Sequence, residues 1–112
     1  MSWLVRRSNT FALSILAADQ EHLSNHFADP DRPAGEAQFA GIATHISVTG
    51  SPLLDGAMAW LDCRTWRTYD GGDHDIVVAE VVHATLGEAN NALGYFRSTY
   101  LEIPDPPAKG SG

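Results

Sequence analysis

Apolar and polar positions along this chain follow two different periods. Phe11-Ala-Leu-Ser-Ile-Leu16 is a compact run of strand formers, bounded by Asn9-Thr10 and by Ala17-Ala18-Asp19. Past Asp19 the period lengthens: Leu23 and Phe27 fall four apart, on the inner face of a helix that Asp19 can cap. Asp29-Pro30-Asp31-Arg32-Pro33 ends that helix in a polar loop. Ser2 to Ser8 reads as the tail end of an earlier helix, and Ala34 to Ala40 as a short helical turn ahead of Gly41.

The second half reads as strands. Ala43 to Val48 is followed by a turn at Thr49-Gly50-Ser51-Pro52. Ala57 to Trp66 alternates, with Ala57, Ala59, Leu61 and Cys63 on one face and Asp62 and Arg64 on the other. Tyr69 to Asp73 is a turn cluster, and His74 to Thr85 is apolar on both faces, with Ile76, Val78 and Val82 on one side and Val77, Ala79 and Val81 on the other. A strand buried on both sides belongs in a barrel or under a subunit interface. Ala92 to Leu101 is the last strand, although Gly94 weakens it. Four or five strands with such apolar faces do not close a barrel alone, so either a second copy supplies the rest or the domain is a shortened form of something larger.

Composition narrows the function. The 112 residues fit one domain, 1–103, with a Pro/Gly-rich tail over 104–112 expected to be disordered. No apolar run approaches the ~20 residues of a membrane span, and the stretch after Arg6 and Arg7 is too short and mixed for a signal peptide. A cytoplasmic protein without a membrane partner is the expectation. The formal charge is −7 with seven basic residues in all, which repels nucleic acid and leaves few cations for a polyphosphate. Cys63 is the lone cysteine, placed in an alternating strand as a small buried hydrophobe.

Candidate chemistry concentrates at Gly72-Asp73-His74. An imidazole in a Gly/Asp turn ahead of an apolar strand can stack on, orient or exchange a proton with a bound ring; a surface histidine without a role is the plainer alternative. Asp73 and Asp75 flank it in the chain. His22 and His26 have helical metal-binding spacing but lack the His-Glu-x-x-His pattern, and two exposed histidines without metal are expected. No Gly-x-Ser-x-Gly elbow, Gly-x-Gly-x-x-Gly or phosphate loop occurs. Trp60 and Trp66 read as core or interface.

Five segments then occur in one order: Phe11-Ala-Leu-Ser-Ile-Leu-Ala-Ala-Asp-Gln20, Leu23-Ser24 with Phe27-Ala28, Phe39-Ala-Gly-Ile42, Pro52-Leu-Leu-Asp-Gly-Ala57 and Gly72-Asp-His74. Over Val5 to Leu101 this set resembles the flavin reductase-like family of FMN-binding split barrels. The resemblance implies a mainly β, antiparallel split barrel with one or two helices, shortened because the strands that usually precede this region and cradle the flavin have no counterpart. It also implies a homodimer that reduces FMN or FAD with NAD(P)H, supplying a monooxygenase. Ser14 stands where the family has a strand asparagine, and Ala79 where it has a glycine.

On that resemblance His74 is the catalytic candidate, near the nicotinamide, and Gly72 and Asp73 lie beside it. Phe27 and Ala28 match positions next to the flavin, with plain core packing as the alternative. Gln20 and Ser24 are polar groups that can reach a ligand or serve as caps, and Tyr95 and Tyr100 match aromatics at the nicotinamide entrance or simply pack. The competing class is a non-redox dimeric module, or a cavity protein for a small hydrophobic ligand or cyclisation-type chemistry.

Overall fold

In a computed structural model the described residues are 9–106, so the helix expected over Ser2 to Ser8 and most of the tail lie outside them. Seven strands and one α-helix follow in order. β1 (Thr10–Ile15) leads through a 3-10 turn (Ala18–Gln20) into α1 (Glu21–Ala28), and a second 3-10 turn covers Gly35–Phe39. Next come β2 (Thr44–Ile46), β3 (Pro52–Leu54), β4 (Ala59–Asp70), β5 (Asp75–Leu86), β6 (Ala92–Phe96) and β7 (Thr99–Ile103).

The strands form three antiparallel sheets: β1-β4-β5, β2-β3 and β6-β7. The small hairpins dock on the larger sheet through single groups. Ser14 Oγ accepts the Leu54 N–H at 3.1 Å, which seats β3 on β1. The Trp60 indole N–H donates to Leu54 O at 2.8 Å. β6 meets the end of β1 where Leu93 N–H donates to Leu16 O at 3.2 Å and Ala18 N–H to Asn91 O at 2.9 Å. The buried core among the described residues is small: Ala17, Leu23, Leu53, Leu54, Ala57 and Cys63.

Cys63 is buried as expected, but several expectations need correction. Asp19 does not cap the helix, and no side-chain hydrogen bond does; the Gln20 side-chain oxygen instead accepts the Ala17 N–H at 3.0 Å, at the start of the 3-10 turn. Asp62, on the face opposite Leu61 and Cys63 as the alternation has it, is only 2% exposed. Its carboxylate takes the Thr49 N–H at 3.0 Å and the Thr49 hydroxyl at 2.6 Å, which ties the β2–β3 turn to β4. The last strand is two: Arg97 (φ 51°) and Ser98 (φ 63°) reverse the chain, making a hairpin whose turn residues both adopt the left-handed region. Of the helix histidines only His22 is exposed, while His26 Nε2 is 2.6 Å from Gln38 O and pins the second 3-10 turn.

β4 and β5 make the longest feature. β1 pairs only with Ala59 to Arg64 of β4, so both strands continue beyond it as a two-stranded ribbon of about 20 Å. Two bulges interrupt the register, at Trp66 in β4 and at Val82 in β5. Val82 therefore drops out of the alternation expected for it. β5 is an edge strand among the described residues, and it is not buried on both sides: Ile76, Val78 and Val81 are exposed. Trp66 is 66% exposed, its ring covered by the Arg67 guanidinium at 4.7 Å. Leu13, Ile15, Val81 and Leu86 share the sheet face opposite the β2–β3 hairpin, by register, and all four are exposed.

Candidate functional site

The ribbon ends in a turn whose form follows from its sequence. Asp70 Oδ1 accepts the Gly72 N–H at 2.9 Å, Gly72 takes a φ of 89°, and Gly71 N–H closes the turn on His74 O at 2.8 Å. His74 thus sits in the turn, one residue ahead of β5. Its Nδ1 is 2.8 Å from Asp73 Oδ1, which leaves Nε2 as the ring nitrogen open to a ligand. The imidazole is 66% exposed and Asp73 99%.

A second group lies on α1 and the β6–β7 hairpin. The Ser24 hydroxyl is 2.7 Å from the Tyr100 hydroxyl, and the Tyr100 ring packs edge-on against Tyr95 at 4.9 Å. Phe27 sits between rings, 4.9 Å from His26 and 5.6 Å from Phe39, and Ala28 closes the helix. Gln20 is buried and both its amide atoms are engaged, the oxygen with Ala17 and the nitrogen with Asp55 O at 2.8 Å. So Gln20 holds the strand-to-helix corner. No hydrogen bond or ring contact among the described residues joins His74 to this second group.

Two cavities accompany these elements. One, of about 500 Å³, opens between Ala17, Ala18, Asp19, Asn90, Asn91 and Glu102. The other, of about 190 Å³, lies between the β2–β3 hairpin and the large sheet, against His45, Trp60, Asp62 and His83. There His45 Nδ1 is 2.5 Å from Asp55 Oδ1 and its ring stands edge-on to Trp60 at 5.1 Å. Burial pushes the Asp62 carboxyl up, but hydrogen bonds from Thr49 and Ser47 and the nearby His83 hold it below its ordinary value. Residues so far apart in the chain carry no spacing signal. The one available clue is a carboxylate set between Leu61 and Cys63.

The domain is mainly β, with an imidazole in the turn at the ribbon tip and a cluster of aromatic rings at the helix end. A sequence model of the flavin reductase like domain matches residues 2–104, and the chain belongs to that family. It is 44% identical over 85 residues to an NADH-dependent FAD reductase of Streptomyces globisporus, covering 75% of this chain and 47% of that protein. It is 40% identical over 102 residues to the reductase component of a flavin-dependent trigonelline monooxygenase from Acinetobacter baylyi, covering 90% and 30%. Among solved structures, it superposes on BorF, the flavin reductase component of a bacterial two-component tryptophan halogenase, with a TM-score of 0.87 at 36% identity, covering 95% of this chain and 67% of that one. The chain therefore spans about half or less of the length of these two curated relatives.

The residues present fit a flavin in part. Phe27, Phe39, Tyr95 and Tyr100 offer ring faces and a hydroxyl pair suited to a flat heterocycle. The larger cavity carries Asp19 and Glu102 and no cation, so it does not fit a phosphate. Among the described residues no helix is long and apolar enough to cross a membrane, and no group of histidine, cysteine and carboxylate could hold a metal.

Proposed function

We propose that this chain is the nicotinamide-side part of an NAD(P)H-dependent reductase of FMN or FAD, working in the cytoplasm and supplying reduced flavin to a monooxygenase. The observation that carries the reading is the Gly71-to-His74 turn, which holds one imidazole nitrogen on Asp73 and leaves the other for a ligand. Flavin, when bound, accepts the hydride that NAD(P)H gives up. The protein's part is to bind and orient. His74 Nε2 hydrogen-bonds the nicotinamide, Gly72 lets the backbone approach the ring closely, and Asp73 fixes the imidazole. Phe27 and Ala28 at the helix end and Tyr95 on β6 form the apolar wall for the flavin ring, while Gln20 keeps the corner that carries them.

The working unit in this proposal is a homodimer. A two-stranded ribbon is marginal in water by itself, and this one exposes Trp66, Tyr69, Ile76 and Val78. A second copy covers that ribbon and brings one copy's His74 to the other's helix end. A non-redox module that keeps only the dimer surface is favoured by one observation, the two carboxylates in the larger cavity.

Titrating the purified chain with FMN and FAD by fluorescence, then following NADH oxidation in their presence, tests the proposal. His74→Ala should lower kcat/KM for NADH about tenfold, about 1.4 kcal/mol, the worth of one good neutral hydrogen bond. Absence of flavin binding by the dimer would move the assignment to the non-redox module.

A further inference from the structure

Two glycines open the ribbon turn, for different reasons. Gly72 is explained by its backbone, at φ 89°, and a Cβ there would meet nothing within 4 Å. Gly71 lies outside the left-handed region. A Cβ on it would come within 2.8 Å of His74 Cδ2 and Nε2 and 2.9 Å of His74 O. The constraint at position 71 is therefore steric and comes from His74, from its ring and its carbonyl oxygen together.

We infer that Gly71 is a positioning residue for His74: its missing side chain keeps the Nε2–Cδ2 edge of the ring uncovered, while Asp73 occupies Nδ1. The nitrogen that a methyl group at 71 would crowd is the one that Asp73 leaves for a ligand. A residue larger than glycine must swing the imidazole away, cover its working edge or shift the His74 carbonyl. The inference rests on the reading of His74 as the nicotinamide contact. It adds to that reading a residue that touches no substrate yet sets how the imidazole meets it.

The same glycine also faces the His74 carbonyl, so the test must separate ring from backbone. Gly71→Ala should raise KM for NADH about tenfold with kcat nearly unchanged, the pattern for binding lost equally in ground and transition states. In a His74→Ala background the added methyl should cost nothing further, because no ring remains to displace. NMR of the His74 ring protons and nitrogens, with and without NADH, reads the positioning directly. Those signals should move in Gly71→Ala and respond less to NADH. Asp73→Asn, whose side chain is fully exposed and which leaves the backbone intact, should shift the ring proton between Nδ1 and Nε2 without covering the edge.

An equal loss from Gly71→Ala in both backgrounds would put the effect in the backbone and overturn the inference, as would unmoved ring signals. If His74→Ala leaves NADH oxidation unchanged, the nicotinamide reading fails instead. The ring signals then decide on Gly71 alone: displaced signals support positioning and unmoved ones refute it.

Discussion

Asp62→Asn removes one charge from the join between β4 and the β2–β3 turn while keeping the side chain's shape. The native carboxylate takes two hydrogen bonds from Thr49, at 3.0 Å from its N–H and 2.6 Å from its hydroxyl. Thr49 Oγ1 is in turn 3.0 Å from Ser51 Oγ and 3.2 Å from Ser47 Oγ, so the whole turn leans on this anion. An asparagine oxygen can still accept the backbone N–H, but the amide cannot replace both bonds with charge assistance. At about 1.5–3 kcal/mol for a hydrogen bond to a charged group, the loss should be about 2–3 kcal/mol near neutral pH, on the order of 10 °C in Tm. The sign with pH follows from the lowered carboxyl, whose ordinary value is 3.8. The stabilisation is present above that value and disappears as pH falls through the lower, folded one. Urea unfolding followed by tryptophan fluorescence should therefore show a wide gap between native and variant near neutrality. That gap should narrow below about pH 4, since asparagine does not titrate. Equal stability at neutral pH, or a gap that persists unchanged into acid, would refute the reasoning.

Three further outcomes are expected. Replacing Arg97 by Asn and Ser98 by Gly should stabilise the domain by about 1 kcal/mol, because both positions have positive φ that these residues adopt freely; an unchanged denaturation midpoint argues against the turn as described. Gly87→Ala should cost at least about 2–3 kcal/mol, since a Cβ there would lie 2.2 Å from the Ala57 carbonyl oxygen, a backbone atom that cannot step aside; a variant with native Tm contradicts the close approach. Burial and the Asp62 charge push the Cys63 thiol up, so a disulfide-exchange reagent should leave the native protein unmodified near neutral pH and label it once urea unfolds it.

Sequence periodicity reached the helix and most of the strands, but not β3, which begins at the Pro52 read as part of a turn. The Phe11 to Leu16 run, the helix with Leu23 inside, and the long pair of strands all follow from periods of two and 3.6. It failed where a local rule was broken. Arg97 and Ser98 lack the Asn-Gly signature of a tight hairpin, so β6 and β7 read as one strand. The bulges at Trp66 and Val82 have no signature at all, since both residues are ordinary strand formers. Alternation assigned Asp62 a face without saying what covers it; the β2–β3 turn does the covering, through Thr49. His74, Gly72 and Asp73 were legible as a turn. The part of Gly71 was not, because it depends on where a ring lies and not on which residues neighbour it.

The two ribbon bulges cancel. Each strand carries one surplus residue, so Asp70 faces Asp75 at the tip in the same register as Ala59 faces Leu86 at the base, and only the stretch between the bulges is offset. Excising Trp66 or Val82 alone would slide one strand past the other and deform the Asp70–His74 bend. Excising both would let the ladder re-zip with the bend intact. Two lesions, each crippling by itself, should heal one another, and a screen for second-site suppressors of either deletion ought to find the other.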